Sequence, residues 1–276
     1  MPRCTCMGQS GVIESVRFHG SSEMGATSDS DTLTLVLIHG SMDRQAAFAR
    51  VARNLGNDHR VITYDRRGYG KSVHQRGAFS MTEHIEDLHE VIQFDEVDNP
   101  IVLVGHSFGG AVALAFAQRF PDQVAGLVVY ESPMSWEPWW PKDSGGSAAV
   151  AIAHEPEEAA ETFMRRFIGH RRWEALPEFT RQQRRSEGAA LVGELGDIRR
   201  HKPWDLDQVR GPLMAGYGSL SKPHLQTSAE LLGQQPDCRA VMIEGAHHNA
   251  HSGSPDEFVD LLVRPLIQRV AQGTWS

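Results

Sequence analysis

Residues 101–110 read Ile-Val-Leu-Val-Gly-His-Ser-Phe-Gly-Gly, and the fold turns on them. The four apolar residues Ile101–Val104 form a short, continuous buried-strand pattern. From Ala111 to Phe120 the chain is rich in small residues and predicts a helix. Between the two lies G-x-S-x-G, with Ser107 at its centre and Gly105 and Gly109 on either side. A strand that turns this sharply into a helix forces the central residue into a strained backbone, so its neighbours must lack a β-carbon. The turn pushes Ser107 out at the carboxyl edge of the sheet, near the positive end of the following helix.

Outward from this turn, short apolar runs alternate with amphipathic stretches. Strands are expected at Leu33–Ile38, Val61–Tyr64, Val124–Tyr130, Pro212–Tyr217 and Ala240–Ile243. Helices are expected from about Asp43 to Leu55 and from Ser80, an N-cap with Glu83 three residues on, through Ile85, Leu88, Val91 and Ile92. A last helix opens at Ser254-Pro255-Asp256-Glu257. Apolar strands separated by helices imply an α/β fold, a doubly wound, mostly parallel sheet covered on both faces. The alternation stops between 133 and 208, which holds Trp136, Trp139, Trp140, Trp173 and Trp204 and no strand-like run. This segment is expected to form a helical lid inserted into a core made of residues 1–132 and 209–276.

The chain has 276 residues, 40% hydrophobic and 22% charged, with a formal charge of −8. That balance suits a globular core and argues against nucleic acid or anionic membrane as the main partner. No stretch approaches the roughly 20 apolar residues of a membrane span. The opening MPRCTCMGQSG lacks the apolar run of a signal peptide, so a soluble, cytoplasmic protein is expected. Three cysteines make no disulfide framework, and Cys4 and Cys6 lack the second ligand pair of a zinc site. Residues 21–31 read as a polar loop.

With these elements in place the chain resembles the α/β-hydrolase superfamily, in its lid-bearing esterase, lipase and dehalogenase-like group, from about residue 12 to 270. The motifs that carry the resemblance are the Ser107 turn and His39-Gly40 after an early strand. Tyr64-Asp65-Arg66-Arg67-Gly68-Tyr69-Gly70-Lys71-Ser72 follows the next strand, and Gly245-Ala246-His247-His248 the last. The resemblance implies a serine hydrolase acting on a small ester-like molecule with no metal or organic cofactor. Ser107 would be the nucleophile, and the backbone N–H groups of Phe108 and of Ser41 or Met42 would form an oxyanion hole. The family's Gly-Ala-Gly-His pattern puts the catalytic histidine at His248, with His247 and His251 as the other candidates. Its usual acid, in a Gly-x-x-Asp turn, is missing here, because the turn reads Gly218-Ser219-Leu220-Ser221. Glu131, after the strand Val124–Tyr130, is the substitute that certain dehalogenases also use, and it keeps the order Ser, acid, His. A serine in place of an aspartate nucleophile argues against dehalogenase and epoxide hydrolase activity.

Trp136, Trp139 and Trp140 open the insert close to Glu131 and are candidates for an apolar substrate pocket, or for lid packing. The lid arginines 165, 166, 171, 172, 181, 184 and 185 could attract a carboxylate or a coenzyme A thioester, but fit a solvated helix face better. Carbon–carbon bond hydrolysis and perhydrolysis remain open on the same triad. So does a non-catalytic binding protein on the same fold.

Overall fold

The computed structural model describes residues 12–19, 33–94, 100–273 and 275. Cys4, Cys6 and the polar 21–31 stretch therefore lie outside the described residues. Seven strands form one sheet: β1 Arg17–His19, β2 Thr34–Ile38, β3 Arg60–Thr63, β4 Ile101–His106, β5 Val124–Tyr130, β6 Leu213–Gly218 and β7 Cys238–Ile243. Their spatial order is β1-β3-β2-β4-β5-β6-β7. Every neighbouring pair from β3 to β7 is parallel, and β1 alone runs antiparallel, against β3. This is the doubly wound layout expected from the alternation, with the six anticipated strands in place. β1 was not anticipated. It is a three-residue edge strand with two exposed positions, too short to carry a readable period.

Period-2 alternation distributes the strand side chains between two cores. Val36, Ile38 and Leu103 face one, packed by α2 (Met81–Phe94) and α3 (Phe108–Arg119). Leu35, Leu37, Val102 and Val104 face the other, packed by the helix Ala49–Leu55 (α1) and the C-terminal helices. β4 is buried along its whole length, as its unbroken apolar run demands.

The predicted start of α2 is a capping box. Glu83 accepts the Ser80 backbone N–H at 2.9 Å, and Ser80 Oγ accepts the Glu83 N–H at 3.3 Å. The last helix differs from the single helix expected. Pro255–Phe258 leads into a π-helical turn, Val259–Val263, before the α-helix resumes over Arg264–Gln272. Pro265 has no N–H to donate inside the helix, and the widened turn upstream accommodates that loss.

Between β5 and β6 the regular elements among the described residues are all helical: α4 Gly145–Ala151, α5 Pro156–Ile168, α6 His170–Glu174, α7 Glu178–Ser186, α8 Gly188–Arg200 and a 3-10 turn, Leu206–Gln208. Buried carboxylates tie α8 to the loops after β2 and β3. Glu194 accepts from Arg66 Nη1 at 2.7 Å and from Tyr69 O–H at 2.6 Å, and Glu187 accepts from Arg44 Nη2 at 2.6 Å. The Asp-Arg-Arg-Gly-Tyr-Gly stretch thus supplies the partners of a buried charge. Burial would raise the Glu194 pKa, but Arg66 and His84 outweigh it and hold the carboxyl at about 2. Among the described residues no helix is long and apolar enough to cross a membrane.

Candidate active site

β4 and β5 pair in parallel with His106 opposite Tyr130, so the next residues on each strand, Ser107 and Glu131, emerge side by side at the carboxyl edge. The Ser107 N–H donates to the Tyr130 carbonyl at 2.8 Å, holding the two ends together. Ser107 takes φ 52° and ψ −122°, and Glu131 takes φ 51°. Met42, after the His39-Gly40 turn, has φ 55°, so three of the five described non-glycine residues with positive φ belong to this one region. Non-glycine side chains enter that part of backbone space at a cost, and the surrounding contacts must hold them there. The glycines leave the room: a Cβ on Gly109 would stand 2.1 Å from the Ile38 carbonyl oxygen, and one on Gly40 would stand 2.9 Å from Ser107 Cβ.

Glu131 reaches away from Ser107, over the end of β6, to the loop after β7. One carboxylate oxygen accepts the Gly218 N–H at 2.8 Å, and the other lies 2.5 Å from His248 Nδ1. The carboxyl is fully buried. Burial would raise its pKa, but the hydrogen bond and charge of His248 prevail and lower it from the ordinary value. Tyr130 O–H and His106 Nε2–H donate to the carbonyls of His247 and His248 at 2.9 and 2.8 Å. These donors pin the histidine loop from below.

His106 is one of three residues whose part was not evident in the sequence. With Asp43 and His251 it forms a buried cluster whose ligand atoms lie within 4.8 Å of one another, the described group that could hold a metal ion. Its lone pairs are partly engaged. His251 Nε2–H donates to Asp43 Oδ2 at 3.0 Å, and the His106 and His251 rings lie 4.0 Å apart. His106 Nδ1, buried and without a hydrogen-bond partner, lies 3.7 Å from the same carboxylate oxygen. Burial pushes the His106 pKa down to about 3, which keeps the ring neutral and its Nε2–H donating to the His248 carbonyl. His251, weighed above as a base, is thus committed to Asp43, whereas His247 and His248 line the open cavity.

That cavity holds about 840 Å³, a volume suited to a small or medium organic molecule. Ser107, Phe108, Ser41 and His248 line it together with Trp140, Phe163, Phe167, Leu195 and Ile198. A smaller hollow of about 200 Å³ at the opposite end of β5 has no nucleophile on its wall. Phe108 opens α3, so its amide has no acceptor four residues back within the helix. Of the early-loop candidates, Ser41 lines the cavity, and Met42 buries its side chain in the core. His39 is a packing residue. Its Nε2 accepts the Arg66 N–H at 2.9 Å and its Nδ1–H donates to the Gly40 carbonyl at 2.8 Å, which fixes the loop.

Of the tryptophans proposed for the pocket, Trp140 alone lines it. Trp136 turns away and packs edge-on against Trp204 with centroids 5.1 Å apart, and Trp139 stands partly exposed beside Trp140. The apolar lining comes instead from α5 and α8, where no aromatic cluster in the sequence pointed. The arginines of the 133–208 segment divide. Arg165, Arg181, Arg184 and Arg185 pair with glutamates of the same segment, Arg166 and Arg172 line the cavity, and Arg171 is exposed.

Residues 35–261 match the model of the alpha/beta hydrolase family. A protein of Haemophilus influenzae described as an esterase/lipase is 25% identical over 245 residues, covering 86% of this chain and 84% of that one. A 2-hydroxy-6-oxo-2,4-heptadienoate hydrolase of Pseudomonas putida is 38% identical over 102 residues, 34% of this chain and 36% of its own. Among solved structures, an esterase of Thermogutta terrifontis superposes with a TM-score of 0.70 at 20% identity, covering 93% of each chain, a likeness of fold. The esterase and lipase relatives support hydrolase activity. The family match spans most of the sequence, from β2 into the π-helical turn, and the chain belongs to the alpha/beta hydrolase family.

Proposed function

We propose that the protein is a serine hydrolase that cleaves a small or medium carboxylic ester or thioester, with Ser107 as nucleophile, His248 as base and Glu131 as acid. The observation that carries this reading is the 2.5 Å contact between buried Glu131 and His248, at a cavity whose wall includes Ser107. Glu131 fixes the imidazole with its proton on Nδ1, leaving Nε2 to take the Ser107 hydroxyl proton as Oγ attacks the carbonyl carbon. The amides of Phe108 and of Ser41 or Met42 receive the oxyanion, and the Ser41 position on the cavity wall favours it over Met42. His248 then gives its proton to the departing alcohol or thiol. Water, losing a proton to the same histidine, cleaves the acyl-serine and restores the enzyme. The helices of 133–208 act as the lid, since α5 and α8 supply much of the cavity wall.

Carbon–carbon bond hydrolysis is the second reading, favoured by the relative named for a dienoate substrate. Product analysis separates the two. The test of the nucleophile is labelling with a fluorophosphonate probe and mapping of the adduct. Modification of Ser107 in wild type, absent in Ser107→Ala, is expected. A folded wild-type protein that takes no label and turns over no ester would overturn the assignment in favour of a ligand-binding protein.

A further inference from the structure

The cavity wall carries a half-buried cation that the catalytic reading leaves unused. Arg199, on the last turn of α8, lines the same space as Ser107 and His248. Its Nη1 donates to the Leu195 carbonyl at 2.7 Å and its Nη2 to Ser147 Oγ at 3.4 Å. Both acceptors are neutral. No ion pair with a described carboxylate involves Arg199, although Arg44, Arg66, Arg67, Arg165, Arg185 and Arg269 each have one. The guanidinium lies against the first turn of α4, where a Cβ on Gly146 would stand 2.8 Å from Nη2. Burial, with no compensating anion, pushes its pKa down to about 10, still charged at neutral pH.

A half-buried cation without a counter-charge is costly, and the cost is removed when an anion arrives. The guanidinium of this cavity-lining residue offers five N–H groups in a planar fork, and its two protein bonds engage only part of them. The other cavity cations, Arg166, Arg172 and Lys222, are exposed and already solvated. One desolvated cation calls for one negative charge. The wall that Arg199 shares with Ser107 also carries the apolar side chains of Leu195, Ile198 and Phe163.

We propose that Arg199 is the anchor for a carboxylate carried by the substrate, so that the preferred ester bears a carboxylate separated from its scissile carbonyl by a short apolar chain. This rests on the serine-hydrolase reading for the bond cleaved, but not for the anion bound. A planar carboxylate takes two parallel N–H bonds from one guanidinium. A dianionic phosphate would leave one charge unmatched in this half-buried position.

The experiment compares 4-nitrophenyl butyrate with the 4-nitrophenyl hemiester of glutaric acid, on wild type, Arg199→Gln and Arg199→Lys. In wild type kcat/KM should favour the hemiester. In Arg199→Gln that preference should fall by about 10- to 100-fold, the range of a charge-assisted hydrogen bond, mostly through KM. Lysine should recover part of it. A wild-type preference for the neutral ester, or a ratio unmoved by Arg199→Gln, overturns the proposal. Binding is read separately, as the rise in Tm of Ser107→Ala with glutarate, which should vanish in Ser107→Ala/Arg199→Gln. An equal rise with inorganic phosphate would replace the carboxylate assignment by a general anion site. If neither ester is turned over but the Arg199-dependent Tm shift remains, the hydrolase reading falls and the carboxylate site stands.

Discussion

Replacing Glu131 by Gln keeps the shape of the side chain and changes only what it offers His248. In the wild type one oxygen accepts the Gly218 N–H at 2.8 Å and the other faces His248 Nδ1 at 2.5 Å. The amide can satisfy Gly218 only with its carbonyl, which turns its NH₂ toward Nδ1. Donor then faces donor, the imidazole moves its proton to Nε2, and the nitrogen meant to take the serine proton is blocked. The lost charge also matters once the ring becomes imidazolium. Two unit charges with centres about 4 Å apart, at an effective dielectric constant of about 20, attract by about 4 kcal/mol. At 1.36 kcal/mol per decade that is roughly a 10³-fold fall in kcat/KM. Glu131→Asp should also lose activity, because removing one carbon–carbon bond of about 1.5 Å withdraws the carboxylate from a contact that spans the end of β6. The assay is hydrolysis of a 4-nitrophenyl ester alongside the fluorophosphonate labelling rate, on variants shown to be folded by their Tm. Activity of Glu131→Gln within about threefold of wild type would refute the acid role, and restoration by a second change, Ser221→Asp, would support it.

Gly109→Ala should fail to fold or lose most of its stability, because its Cβ would stand 2.1 Å from a backbone oxygen that cannot give way; circular dichroism and Tm report it. Glu194→Gln should cost about 3–5 kcal/mol by stranding the buried Arg66, read by urea denaturation. The wild-type pair also has a pH signature. A carboxyl whose pKa is depressed from 4.5 to about 2 contributes its full stability above 4.5 and loses it as the pH falls towards 2, so the difference between wild type and Glu194→Gln should shrink over that window. His106→Phe removes the N–H that holds the His248 carbonyl, and the labelling rate of Ser107 should fall about tenfold, the scale of one buried hydrogen bond. An unchanged labelling rate would mean that the histidine loop holds its position without that bond.

The sheet was legible because its strands are buried and parallel. Ile101–Val104 and Val124–Tyr130 show up as plain apolar runs, and the capping box of Ser80 and Glu83 is a local hydrogen-bond pattern that needs no tertiary context. Ser107, Glu131 and His248 could be nominated from sequence because each follows a strand, and strand ends converge on one edge. What stayed hidden depends on packing. Nothing in the spelling of Trp136-Glu137-Pro138-Trp139-Trp140 tells which ring faces the cavity, since that follows from how the segment meets Trp204 and His224. Asp43 in the loop after β2, His106 at the end of β4 and His251 in the short helix Ala250–Gly253 are far apart in sequence, and only the fold makes them neighbours. Arg199 looks in the sequence like any other arginine of the 133–208 segment, because its distinguishing mark is a missing carboxylate partner, which no sequence pattern displays.

Because the carboxylate that holds His248 comes from the end of β5, the loop after β6 supplies supports and not an acid: the Gly218 N–H for Glu131, Ser219 Oγ for the Gly245 N–H at 2.8 Å, the Leu220 N–H for the Ala246 carbonyl at 3.0 Å, and a Ser221 hydroxyl that helps lower the Glu131 pKa. Of the residues that follow, Leu220 and Lys222 line the cavity with exposed side chains that hold neither Glu131 nor His248. Where an acid sits in that loop, any change of substrate preference there risks the catalyst. Here the acid and the side chains of Leu220 and Lys222 sit on different stretches of chain, and those two positions are the place to alter what the cavity accepts with the carboxylate left in place.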